Sequence, residues 1–425
     1  MAQERLYPEL HDYIIDFLHD DDQALRSCAL VCRSWLPSSR THLFNILDLT
    51  GSPALGQGWA PNTAVRRVFV AFQSSPYLAD YVHKVTIKEK RLTQPPCYRW
   101  VCEEIIFPSL LKKLTSLRDV EFSFPTPAHM EQKTTWGTMV FKDISDALVQ
   151  LKLNAFTLRQ FDFGSLADFV KIIDSYTTLK SLQLDHVDVK IETHLSPAAL
   201  QHVLNTLISS KASDKTELQH LLLRSNSSTL LIPVLLHDRS PFDFSSLKSL
   251  VINVATDNYA NVVQLLRHTP NLEALEIEIA TIFNYDAHLG QDDTIDLSLF
   301  PSLKSLALQF SDLLARSDPM HWLVPFLSTI GEGNQLTTLS MTCVIDKPPP
   351  FLTIQAFDSA LAGWRNLDAL LTQPIFDTLQ RFRLDFALDN PIGDDSPQII
   401  SEEYIKQLQG LDKKGVLEID VCEVR

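Results

Sequence analysis

One short pattern of apolar residues recurs along most of the chain. It consists of an apolar residue, two other residues, a second apolar residue, one other residue and a third apolar residue, as in Leu179-Lys180-Ser181-Leu182-Gln183-Leu184. The copies begin at Leu117, Leu158, Leu179, Leu218, Leu247, Leu272, Leu303, Leu336, Leu379 and, in a degraded form, Val416. The alternation at the end of each copy predicts a β-strand with one buried face.

Helical patterns lie between the predicted strands. Residues 197–210 place Leu200, Val203, Leu204, Leu207 and Ile208 on one face. A strand followed by a helix, repeated many times, predicts an α/β solenoid with a parallel sheet on its concave face. The pattern resembles an irregular leucine-rich repeat that lacks the asparagine of the standard form. An ordinary doubly wound sheet is the alternative.

The polar residues of each copy form the predicted inner face of the sheet. In each copy, the residues between and after the last two apolar positions should face away from the core. They are Glu121, Asp162, Gln183, Asp185, Arg224, Asn253, Glu276, Glu278, Gln309, Thr342, Arg383, Asp385, Glu418 and Asp420. This set is mostly acidic and is either a solvated surface or the surface that binds a protein substrate. An acidic binding face favours a partner with a basic segment, mainly through encounter rate and specificity.

The first 45 residues have a different pattern, that of short helices. Pro8 suits a first helical turn, and Leu10, Ile14 and Leu18 repeat at helical spacing. Asp21 or Asp22 can cap a second helix, and a third is predicted from Leu36 to near Phe44. The second helix is apolar on more than one face. Helices this short cannot bury so much apolar surface by themselves, so we expect part of it to contact a partner.

These residues resemble an F-box, in the form found in many fungal proteins. The resemblance rests on Leu6, Pro8-Glu9-Leu10, Ile14, Leu18, Leu25, Leu30-Val31-Cys32 and Trp35. Tyr7 departs from it, because many F-boxes have a first proline there. The predicted architecture is therefore α/β, with a three-helix F-box over residues 5–45 and a leucine-rich-repeat-like solenoid over residues 46–425. The alternative is a helical hairpin that packs only on its own domain.

The resemblance implies a substrate-recognition subunit of a Skp–cullin–F-box ubiquitin ligase. The F-box would dock on a Skp-type adaptor and, through it, on a cullin–RING ligase, while the repeats present a protein substrate. The residues that the resemblance assigns to adaptor binding or to the F-box core are Leu6, Pro8, Leu10, Ile14, Leu18, Leu25, Val31 and Trp35. The sequence does not separate contact residues from core residues. The runner-up function is a repeat scaffold that takes no part in ubiquitination.

The composition narrows the remaining function classes. The 425 residues carry 52 acidic and 37 basic side chains, a net charge of −15 that disfavours a nucleic-acid partner. Only 12 glycines occur, which disfavours a nucleotide-binding enzyme, because the loops that bind phosphate are rich in glycine. No signal peptide is recognised, and no apolar run reaches the ~20 residues of a membrane helix. We therefore expect a protein of the cytoplasm or nucleus, where six scattered cysteines stay reduced.

No catalytic or cofactor motif is recognised. Gly56-Gln57-Gly58 lacks the third glycine of a dinucleotide fingerprint. Asp20-Asp21-Asp22 can bind a divalent cation in principle, but an acidic turn with a capping role is the simpler interpretation. We expect no enzyme activity, no cofactor and no metal, although a site assembled in space from distant loops remains the third alternative.

Overall fold

The structure is a computed structural model that divides into two compact units. The first unit contains residues 1–216 and 239–241, and the second contains residues 217–238 and 242–425. The structure describes residues 7–51, 63–89, 101, 104–124, 138–174, 176–189, 197–208, 215–225, 228–255, 257–279, 295–310, 320–345, 354–388 and 396–423. Leu6 and the Gly56-Gln57-Gly58 segment therefore lie outside the described residues.

Three helices begin the first unit: α1 (Pro8–Asp16), α2 (Asp22–Val31) and α3 (Leu36–Asn45). Pro8 stands in the first turn of α1, where a missing N–H costs no hydrogen bond. The Asp21 carboxylate caps α2 by accepting a hydrogen bond from the Ala24 amide at 2.9 Å. The three predicted helices and the predicted cap are confirmed.

The first unit continues with alternating strands and helices. Its strands are β1 (Ile46–Gly51), β2 (Lys84–Glu89), β3 (Asp119–Ser123), β4 (Ala155–Phe163) and β5 (Ser181–Val189). Each strand pairs in parallel with the next one along the chain. The helices are α4 (Thr63–Ser74), a 3-10 turn (Pro76–Tyr81), α5 (Phe107–Leu111), α6 (Thr138–Val149), α7 (Leu166–Asp174) and α8 (Pro197–Leu207).

The second unit repeats this arrangement. Its parallel strands are β7 (His220–Arg224), β9 (Ser249–Val254), β10 (Ala274–Ile279), β11 (Ser305–Phe310), β12 (Thr338–Ile345), β13 (Arg381–Leu388) and β14 (Leu417–Glu423). Two-residue strands, β6 (Thr216–Glu217) and β8 (Phe242–Asp243), lie outside these sheets. The helical segments are α9 (Ser228–Leu236), α10 (Tyr259–Arg267), a 3-10 turn (Leu297–Leu299), α11 (Met320–Ser328), α12 (Ile354–Leu371), a 3-10 turn (Pro374–Phe376), α13 (Ser396–Gln407) and α14 (Gln409–Lys414).

The strand order confirms a mixed α/β fold with parallel strands. Within each unit the main strands follow chain order, because each helical connection returns the chain to the next position in the sheet. A doubly wound sheet reverses its strand order at a switch point. That alternative therefore fits neither unit.

The apolar positions of the recurring pattern form the core of each unit. Leu182 and Leu184 in β5 and Leu250 and Ile252 in β9 are fully buried. Burial of one such side chain contributes about 1.5–3 kcal/mol. In the first unit the core is aromatic, and the rings include Phe122, whose centroid lies 6.3 Å from that of Phe156. The pattern predicted the inward-facing residues because a strand alternates its side chains between two faces.

The strand register adds two copies to those recognised in the sequence. Leu47 and Leu49 of β1 pair with Val85 and Ile87 of β2, which in turn pair with Val120 and Phe122 of β3. The pattern therefore also begins at residues 44 and 82. The first of these copies starts in the last turn of α3, so the repeats follow the N-terminal helices without a spacer.

The predicted position of the copy at Leu158 is wrong. Leu158 of β4 pairs with Leu184 of β5 and is therefore the last apolar residue of a copy that begins at Leu153. Gln160 and His186, in neighbouring strands, have positive φ angles of 57° and 54°, and the alternation shifts by one residue there. Thr157, and not Asp162, is consequently the counterpart of Glu121 and Gln183.

The last copy is also displaced from its predicted position. Leu417 and Ile419 of β14 pair with Phe382 and Leu384 of β13. The copy therefore starts two residues before Val416, and Lys414 takes the place of its first apolar residue.

Candidate interaction surfaces

Four large apolar side chains are exposed along one side of α1. Leu10, Tyr13, Ile14 and Phe17 are each between 41% and 70% exposed, and their spacing of three and four residues places them on one helix face. We call this set the α1 apolar face. The rings of Tyr13 and Phe17 meet edge to face with centroids 4.8 Å apart. Covering such a side chain with a partner contributes up to about 1.5–3 kcal/mol.

The other side of α1 contacts α3 through polar pairs. The Asp16 carboxylate lies 2.8 Å from Nε2 of His42, and the Asp12 carboxylate accepts a hydrogen bond from the Ser38 hydroxyl. Ile15 is fully buried. These contacts fix the rotation of α1, so the α1 apolar face is presented outward by a helix that is already ordered.

Helix α2 adds apolar surface at its carboxyl end. Leu30 is 88% exposed and Val31 is 63% exposed, whereas Leu25 and Cys28 on the same helix are buried. The expectation that α2 is apolar on more than one face is met by this division. The chain leaves the helix at Cys32, which has extended backbone. A hydrogen bond with the Ser34 hydroxyl lowers the pKa of the exposed Cys32 thiol.

The structure separates the predicted adaptor-binding residues by their exposure. Leu10, Ile14 and Val31 are exposed, Leu18 and Trp35 are half-buried, and Leu25 is fully buried in the first unit. Pro8 begins α1, and Leu6 lies outside the described residues. Tyr13, Phe17 and Leu30 are exposed apolar residues that the sequence reasoning did not assign to the surface. The position of Tyr13 and Phe17 relative to Ile15 was the missing information, since only one side of α1 packs inward.

Charged side chains form a ladder on the polar face of the first unit. Glu121 of β3 lies 3.6 Å from Lys84 of β2 and 3.6 Å from Arg159 of β4, and Arg159 lies 3.9 Å from Asp185 of β5. Asp185 also lies 2.9 Å from Nδ1 of His186. Gln183 is on the same face of β5, and Asp162 follows the shift in alternation at Gln160. The acidic residues predicted here are thus neutralised in part by neighbours.

Two charged clusters lie on the polar face of the second unit. In the Arg224 cluster, the Arg224 guanidinium contacts the carboxylate of Glu276 and lies 3.1 Å from that of Glu278. A fourth candidate nearby, Asn253, accepts hydrogen bonds from the Ser225 amide and the Ser228 hydroxyl. Asn253 therefore holds the turn that follows β7, a structural role that its place in the pattern did not indicate.

The Arg383 cluster lies on the last two strands. Nε of Arg383 is 2.8 Å from the Asp385 carboxylate, and the Arg383 guanidinium is 3.6 Å from the Asp420 carboxylate. The hydrogen bond to Asp385 raises the pKa of Arg383. Beside this cluster, Arg381 pairs with Glu418 at 2.9 Å. Gln309 and Thr342 lie between the two clusters on β11 and β12.

The described residues contain neither a metal-binding cluster nor a membrane-spanning helix. Among those residues, no group of three or more His, Cys, Asp or Glu side chains could hold a metal ion. None of the described helices combines the length and the apolar character that crossing a membrane requires.

No protein-family model matches this chain, and no curated protein matches its sequence.

Proposed function

We propose that this protein is the substrate-recognition subunit of a Skp–cullin–F-box ubiquitin ligase. In this proposal the N-terminal helices are an F-box that docks on a Skp-type adaptor, and the strands and helices that follow are an irregular leucine-rich-repeat-like domain that captures a protein substrate. The protein makes and breaks no bond. It holds a substrate lysine near a ubiquitin-loaded enzyme and so raises the effective concentration of the reacting groups.

The observation that carries the proposal is the α1 apolar face. Leu10, Tyr13, Ile14 and Phe17 remain exposed although the helix that carries them is anchored through Ile15, Asp16 and His42. Contiguous exposed apolar residues on an ordered helix are typical of a surface that another protein covers. Leu30 and Val31 add a second exposed apolar pair on α2.

The repeat domain supports the second half of the proposal. Its strands expose a row of polar and charged side chains, and an extended sheet surface is the usual binding surface of a repeat protein. Each strand contributes two or three such residues at positions fixed by the backbone register. A surface of this kind can be specific for one partner without a catalytic group.

The test is co-purification of the full-length protein with a Skp-type adaptor. Ile14→Asp and Leu10→Asp each place a charge on the α1 apolar face, which a docked partner would have to bury, and we expect adaptor binding to fall at least tenfold. Because both side chains are exposed in the free protein, the variants should unfold at the same temperature as the wild type.

The matched control is Ile105→Asp. Ile105 is 75% exposed and lies outside α1 to α3, so this variant should retain the adaptor. Wild-type protein that binds no adaptor, or an Ile14→Asp variant that binds as well as Ile105→Asp, would contradict the proposal.

A further inference from the structure

We infer that the second unit binds an extended segment with two basic side chains four residues apart, seated across strands β10 to β13. This inference rests on the proposed function, since it describes the class of substrate that the repeat domain would capture. It is carried by the Arg224 cluster, the Arg383 cluster and the uncharged surface between them.

The two clusters each have a surplus negative charge. Arg224 faces the two carboxylates of Glu276 and Glu278, and Arg383 faces those of Asp385 and Asp420. Glu278 and Asp385 are largely covered, with side chains 24% and 20% exposed. A cation bound at either cluster would neutralise the negative charge that remains after the carboxylates pair with arginine. Partial burial also limits screening by salt.

Among the described residues, the strands between the clusters have no charged side chain on their polar face. We call this surface the neutral interval, and it consists of Ser305, Ala307, Gln309, Thr338, Ser340 and Thr342. These side chains are short, apart from that of Gln309. Side chains this short on the two strands suit a bulky side chain of a bound segment.

The strand register sets the distance between the two charged clusters. Glu278 pairs with Gln309, Gln309 with Thr342, and Thr342 with Asp385. Neighbouring strands are about 4.8 Å apart, so three spacings separate the two carboxylates by roughly 14 Å. An extended peptide advances about 3.4 Å per residue and covers this distance in about four residues.

The alternation of an extended peptide then fixes which of its residues face the sheet. Residues i and i+4 point to the same side, as does residue i+2, whereas i+1 and i+3 point away. Basic residues at i and i+4 would therefore reach Glu278 and Asp385 together, and residue i+2 would lie over the neutral interval. A spacing of three or five residues would turn one of the two cations away from the sheet.

The opposite end of the strands fits a basic segment less well. Lys248 and Lys304, which precede β9 and β11, share the single carboxylate of Glu273 at 3.8 and 2.8 Å. The surplus of basic charge at this end would repel the cations. The segment should therefore lie toward the carboxyl ends of the strands, on the row that contains Glu278 and Asp385.

The experiment is selection of a display library of random peptides of about nine residues on the purified full-length protein. We expect enrichment of peptides with Lys or Arg at i and i+4 over those with spacings of three or five. A selected peptide should bind about fivefold more weakly to Glu278→Gln and about fivefold more weakly to Asp385→Asn. Asp146→Asn, which removes an exposed carboxylate that pairs with Lys171 on the first unit, is the matched control and should bind normally.

Insertion of one residue between the two cations of a selected peptide is the sharper measurement. Fluorescence anisotropy should show a loss of about tenfold, because the second cation then points away from the sheet. The inference is overturned if no basic pair is enriched, if the insertion is tolerated, or if Glu278→Gln and Asp385→Asn bind as well as Asp146→Asn. Peptide binding needs no adaptor, so its failure is distinct from a failure of adaptor co-purification.

Discussion

The N-terminal helices and the repeat strands differ in how far their apolar side chains are buried. In β3 and β5 the apolar positions are buried and the less buried positions are polar. In α1, Ile15 is buried, while the four residues of the α1 apolar face are exposed. Apolar residues recur at regular spacing in both regions, but only the strands bury most of these side chains.

This difference shows which apolar side chains the described part of the protein leaves uncovered. A strand in the middle of a sheet is covered on both edges and on its core face, so its apolar residues stabilise the unit that contains them. The α1 helix has one anchored side and one exposed side, so its exposed apolar residues contribute little to the stability of the free protein. A partner that covered them would recover that contribution as binding free energy.

The largest expected effect comes from paired phenylalanine substitutions in the two regions. Phe122→Ala removes a ring that is 1% exposed and lies against Phe107, Phe124 and Phe156. We expect its cavity to lower the free energy of unfolding by about 3–5 kcal/mol. Phe17→Ala, at a 70% exposed position, should change it by less than about 0.5 kcal/mol. Urea unfolding of the two variants measures both values.

The contrast between the regions would be lost if Phe17→Ala were as destabilising as Phe122→Ala. That result would mean that the α1 apolar face packs within the protein in solution. It would also remove the observation on which the proposed adaptor contact rests.

The sequence predicted the element types well and their exact phase less well. Leu182 and Leu184 were assigned to the core correctly because strand alternation has a period of two and many copies agree. In α1 the choice between Ile14 and Ile15 depends on the rotation of one short helix, which Asp16 and His42 fix through a contact 26 residues apart in the sequence. Asp162 was misplaced because the shift in alternation at Gln160 uses a residue other than glycine.

An intermediate effect is expected at the cap of α2. Asp21→Ala removes the acceptor of the Ala24 amide, whereas Asp22 remains as the acidic residue of the first turn. We expect a loss of about 1 kcal/mol in the free energy of unfolding. Asp20→Ala is the matched control, since the exposed Asp20 side chain is outside the helix and should change stability little. Equal effects of the two substitutions would show that general charge, and not the cap, is responsible.

The ion pairs of the polar faces could not be predicted from local sequence. Arg224 and Glu276 are 52 residues apart, and Arg159 meets Glu121 only because β3 and β4 pair in the register observed. The repeats placed Arg224 and Arg383 on the same face as the acidic residues, but they did not show which carboxylates each guanidinium contacts. A partner would therefore be attracted by the net charge of each cluster, and not by the number of its carboxylates.

The smallest expected effect is the pH-dependent contribution of Glu273 to the stability of the folded protein. It tests whether such ion pairs stabilise the strands. A hydrogen bond from Lys304 is the main reason that the pKa of Glu273 lies below its usual value, and Lys248 adds to the shift. A carboxyl with a lowered pKa in the folded protein stabilises that protein above its unfolded pKa of about 4.3, and the contribution is lost as the pH falls through the folded value.

The melting temperature of the wild type should therefore exceed that of Glu273→Gln near neutral pH, and the difference should vanish in acid. Lys304→Met should reduce this difference, and so should high salt, because the pair is exposed. A difference that persists unchanged in acid would mean that Glu273 acts through packing, and the ion pair at the amino ends of the strands would then contribute nothing measurable to the repeat domain.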